Sequence, residues 1–60
     1  MKKKLKLARI DKGYSQQEMA EKLGIALKTY NLKEQGKTNF NDEEIKKILE
    51  ILEKKYEEIF

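Results

Sequence analysis

The stretch ALKTYNLKEQG, Ala26 to Gly36, concentrates side chains that bind by hydrogen bonding rather than react. At helical spacing Ala26, Tyr30 and Lys33 fall at i, i+4 and i+7, the positions of an inward stripe. The opposite side carries Lys28, Asn31, Leu32 and Gln35, with Leu27 on one flank. Each amide offers paired donors and an acceptor, and each ammonium offers three donors. Such a face suits polar edges and anions. The chain has no His and no Cys, which removes imidazole acid–base chemistry, thiolate nucleophiles and the commonest zinc ligands. No pair of carboxylates is spaced for a catalytic pocket either. The expectation is therefore a non-enzyme with no catalytic residue, metal, cofactor or small-molecule substrate.

A face of this kind needs a rigid support, and the residues just upstream describe one. Ser15 and Glu18, three residues apart, form a capping-box signature at the start of a helix from Gln16 to Leu23. That helix presents Met19, Ala20 and Leu23 on one side and is stopped by Gly24 after about two turns. Ala20 is small where two helices must cross closely, and Gly24 can take the positive φ of a sharp turn. Met19, Leu23, Ile25 and Tyr30 fill the wedge. The spacing predicts two short helices over residues 15–36, the second standing proud of the body in helix-turn-helix fashion.

The remaining elements are also helical. A first helix is expected over residues 2–12 with Leu5, Ala8 and Ile10 inward, ended at Gly13. "KTNFN" reads as a loop anchored by Phe40. Asn41 and Glu44 repeat the cap, and Ile45, Ile48, Leu49 and Leu52 form the cleanest apolar stripe in the chain. Tyr56, Ile59 and Phe60 close the core in a short fifth helix. The prediction is an all-α, compact bundle of four to five short helices, a single domain over residues 1–60.

Composition agrees with that economy. A chain of 60 residues buries only about 60% of its unfolded surface, and local helical contacts are the least costly way to build its core. No apolar run reaches the length of a membrane span or a signal h-region, so a cytoplasmic location with no membrane partner is expected. The net charge of +3 is unevenly spread. Residues 1–12 carry six Lys or Arg against Asp11, whereas residues 42–60 carry four against seven acids. A basic front and acidic back suit an oriented approach to a polyanion, although charge on this scale also serves solubility alone.

The block G-x-S-Q-x-E-x-A-x-K-L-G at 13–24, with E-x-G-K at 34–37, makes residues 5–60 resemble the lambda-repressor/Cro-type helix-turn-helix family, the Xre-like group. The resemblance implies five helices, double-stranded DNA as partner, and recognition by the third helix of a repressor or Cro-type transcriptional regulator. Carried over by position, it implies base contacts from Leu27, Lys28, Asn31 and Leu32. Phosphate contacts fall to Gln16, Gln17, Gln35, Lys37, Thr38 and Asn39. Arg9 and Glu34 match a structural ion pair between the first and third helices. Two copies on a nearly palindromic operator are implied, hence a homodimer at least on DNA. Relatives often continue past the position of Phe60, so the chain matches either a Cro-sized protein or the DNA-binding part of a longer regulator.

The chain departs from that pattern at four positions. Ala26 stands where Ser or Thr usually caps the third helix, Lys33 where an apolar residue is usual, and Leu27 and Leu32 where polar residues are more frequent. A leucine packs on a thymine methyl but hydrogen-bonds no base edge. Leu27 therefore has two readings, outward or core. Leu32 has two others, a base contact or a partner surface. Exposed leucines also admit a second function on the same scaffold, an antitoxin-like or regulatory protein-interaction module.

Overall fold

The computed structural model describes residues 3–60, so Lys2, expected to open the first helix, lies outside it. Five helices follow in order: α1 (Lys3–Asp11), α2 (Gln16–Leu23), α3 (Leu27–Glu34), α4 (Asp42–Leu52) and α5 (Tyr56–Ile59). They enclose one apolar core of Leu5, Met19, Ala20, Leu23, Tyr30, Phe40, Ile48, Leu52 and Ile59. Principal packing pairs are α2 with α3, α1 with α5 and α2 with α4.

Capping boxes start α2 and α4. At α2 the Ser15 hydroxyl accepts the Glu18 N–H at 3.1 Å, and the Glu18 carboxylate accepts the Ser15 N–H at 2.9 Å. Asn41 and Glu44 repeat the exchange at α4, at 2.8 and 2.9 Å. Such boxes satisfy backbone N–H groups that the helix itself leaves unpaired. Gly24, at φ 71°, then turns the chain. Its N–H donates to Glu21 and the Ile25 N–H to Ala20, closing α2 in a Schellman motif. Only Gly24, Ile25 and Ala26 separate α2 from α3. Ala26 occupies the N-cap of α3 and supplies no side-chain cap.

The inward faces differ from the expected ones in several places. Ile10 is 53% exposed, because α1 buries Leu5 and Arg9 while its far side faces solvent. Ala26 is exposed, and α3 turns Tyr30 and Glu34 inward in place of an Ala26–Tyr30–Lys33 stripe. Lys33 is half-buried, its ammonium donating to Glu44 at 2.6 Å and lying 5.8 Å from the Phe40 ring centre. Charge pairing thus takes the place of an apolar contact. Tyr56 is 54% exposed and stacks on Phe60 at the rim. Phe40 anchors the 35–41 loop against Tyr30 and Phe60, with ring centres 6.0 Å away in both cases.

Candidate nucleic-acid interface

Glu34 is the point at which α1, α2 and α3 meet. Its carboxylate is 5% exposed and accepts from Arg9 Nε at 2.9 Å, Arg9 Nη2 at 3.3 Å, Tyr30 Oη at 2.5 Å and Gln16 Nε2 at 3.1 Å. A third Arg9 nitrogen donates to the Tyr14 carbonyl at 2.8 Å, bracing the turn after α1. Burial alone would raise the Glu34 pKa, but the donors from Arg9, Tyr30 and Gln16 outweigh it and hold the carboxyl below its ordinary range. Burial, and then the hydrogen bond to that carboxylate, push the Tyr30 phenol well above its ordinary value. Among the described residues no buried side-chain nitrogen or oxygen lacks a partner.

From Glu34 a line of amides runs out to the surface. The Gln16 oxygen accepts from Asn31 Nδ2 at 3.0 Å, and the Asn31 oxygen accepts from Gln35 Nε2 at 2.6 Å. An ionised carboxylate can only accept, so Gln16 must turn its NH2 toward Glu34 and its oxygen toward Asn31. The same logic then orients Asn31 and Gln35. The direction of all three amides is set by the buried carboxylate, and the first turn of α2 is tied to the outer side of α3.

Three of the residues expected to touch DNA, Gln16, Asn31 and Gln35, are thus brought into one hydrogen-bonded unit. They line a cleft of about 510 Å³ together with Lys3, Lys6 and Leu7 of α1. Lys28 is exposed on α3, and Leu27 is 42% exposed, so the outward reading of Leu27 holds and the core reading fails. Leu32 is half-buried outside the apolar core. Gln17 is exposed and donates to Glu21 at 3.3 Å. Lys37, Thr38 and Asn39 are exposed on the 35–41 loop and do not join the amide line. Lys3 and Lys6, which also line the cleft, were not singled out by sequence reasoning. The basic surplus at the N-terminus was the available signal, but no spacing rule connects it to α3.

The short α2, the turn at Gly24 and α3 packed against α2 define a helix-turn-helix protein. The chain belongs to the Cro/C1-type, Xre-like helix-turn-helix family of DNA-binding domains, whose sequence profile matches residues 5–59. No curated relative and no solved structure matches it. Membership supports DNA as the partner. Among the described residues no helix is long and apolar enough to cross a membrane.

Proposed function

We propose that the protein is a sequence-specific regulator of transcription, of repressor or Cro type, that reads the major groove of duplex DNA with α3. The observation that supports this most is the amide line from Glu34, which presents Asn31 and Gln35 in a fixed orientation beside exposed Lys28. In this reading Leu27, Lys28, Asn31 and Leu32 face bases, the leucines toward thymine methyl groups. Gln16, Gln17, Gln35, Lys37, Thr38 and Asn39 hold phosphates, with Gln16 and Gln17 at the positive end of α2. Two copies place their third helices in successive major grooves, about 34–36 Å apart, on a nearly palindromic operator. The protein acts in the cytoplasm, on the nucleoid.

Selection of bound sequences from random duplex DNA, followed by anisotropy titrations, tests the reading. The wild-type chain should enrich a symmetric site, and Lys28→Ala should weaken binding to it. Absence of both specific and salt-dependent duplex binding at micromolar protein overturns the proposal. The exposure of Leu27 favours a second reading, an antitoxin-like interaction module that docks a protein on the same face. That reading predicts that Leu32→Glu abolishes a protein contact while DNA binding persists.

A further inference from the structure

The cleft between α1 and the α2–α3 pair combines charge and directed donors in a way the third helix alone does not. Lys3 and Lys6 lie one turn apart on α1 and both line it, facing Gln16, Asn31 and Gln35 across the gap. Both lysines are exposed, and neither forms an ion pair with any described residue. The one acid lining the cleft, Glu34, is neutralised by Arg9 and saturated by Tyr30 and Gln16. The cleft therefore presents unpaired positive charge, oriented amide N–H groups and the apolar side of Leu7, with no free negative charge. That combination fits a phosphodiester group, with the ammoniums and the Gln16 and Gln35 amides on its oxygens and an alkyl floor for its sugar.

We propose that this cleft is a second backbone seat for duplex DNA, in which Lys3 and Lys6 of α1 hold phosphates of the strand that passes beside α3. The seat rests on the DNA-binding reading above and extends the contact surface to a helix outside the helix-turn-helix. It contributes affinity and orientation but no base discrimination, since lysines on phosphates carry no sequence information.

The test is an anisotropy titration of a mixed-sequence duplex across a range of salt concentrations. It compares the wild-type chain with Lys3→Ala/Lys6→Ala, with Lys3→Arg/Lys6→Arg, and with Lys46→Ala/Lys47→Ala on α4 as a charge-matched control outside the cleft. The alanine pair in the cleft should lose on the order of tenfold in affinity at low salt. The slope of log affinity against log salt should fall in magnitude by about 1 to 2, because each lysine on a phosphate contributes about one unit. The arginine pair should retain both, and the control should move both far less. No loss in the cleft variant, or an equal loss in the control, overturns the seat, the second result showing that only overall charge matters. A wild-type chain that binds no duplex overturns the underlying reading instead, and the seat with it.

Discussion

Glu34 accepts hydrogen bonds from Arg9, Tyr30 and Gln16 while almost sealed from solvent, so deleting its carboxylate strands a guanidinium among apolar groups. Breaking a buried pair in this way costs about 3–5 kcal/mol. A chain of 60 residues is held by roughly 3–9 kcal/mol in all. Glu34→Ala should therefore lose a large share of that stability, seen as a marked fall in the urea midpoint followed by helical circular dichroism. Tyr30→Phe, which removes a single donor, should lower the urea-derived stability by about 1–2 kcal/mol. The pH dependence follows from the same groups. Glu34 and Glu44 both titrate below their ordinary value of 4.5 in the folded chain, despite burial that opposes this. Their contribution is present above pH 4.5 and is lost as pH falls through the lower folded values. Tyr30 is shifted up from its ordinary 10.0, so its contribution holds below that pH and declines above it. Stability measured by urea titration should accordingly show a plateau between these limits.

At the level of elements, α3 starts without a side-chain cap, because its N-cap is Ala26 and its first backbone N–H groups gain no side-chain acceptor. Ala26→Ser should stabilise the protein by about 1 kcal/mol, raising the melting temperature by about 4–8 °C. An unchanged melt would show that α3 gains nothing from a cap in this setting. The caps at Ser15 with Glu18 and at Asn41 with Glu44 were legible in the sequence, since a box needs only residues three apart. So were the stripes of α2 and α4, where Met19, Leu23, Ile48 and Leu52 are all inward. The register of α3 was not legible. A search for apolar periodicity selects Ala26 and Lys33, whereas the chain buries Glu34, whose charge is balanced by Arg9 from 25 residues away. Ile10 fails as a core residue for a related reason, because Arg9 beside it takes the inward position. Local spacing does not reveal a buried charge compensated from elsewhere, and the Arg9–Glu34 pair itself was reached by resemblance alone.

For the whole molecule, size and charge polarity decide how it meets a partner. Its extents are 24 × 21 × 20 Å, and a helix such as α3, about 10–12 Å in diameter, fits the roughly 12 Å width of a major groove. Four cations, Lys3, Lys6, Lys28 and Lys37, belong to the proposed contact surface, while the acidic surplus of residues 42–60 belongs to α4 and α5. Lys3, Lys6 and Lys37 are the three placed on phosphates, and each phosphate neutralised contributes about −0.9 to the slope of log affinity against log salt, so one protomer should show a slope near −3. A slope near zero in titrations of the wild-type chain would mean that these lysines act separately from DNA. The amides and lysine on the outer side of α3 stood out in the sequence as a polar face. Their link to α1 was not, because it depends on the tertiary closeness of helices separated by α2.

One oxygen of Glu44 joins two events that would otherwise be independent. It accepts the Asn41 N–H at 2.9 Å, completing the cap of α4, and the Lys33 ammonium at 2.6 Å, at the end of α3. Opening of the intervening 35–41 loop therefore loosens the start of α4 at the same moment. In amide hydrogen-exchange measurements, the Asn41 N–H should exchange at the rate set by that shared opening rather than as a frayed helix end. Lys33→Met should uncouple the two, hastening exchange at Asn41 while leaving the interior of α4 as slow as before. The loop that trails α3 and the first turn of α4 then fluctuate as one cooperative unit.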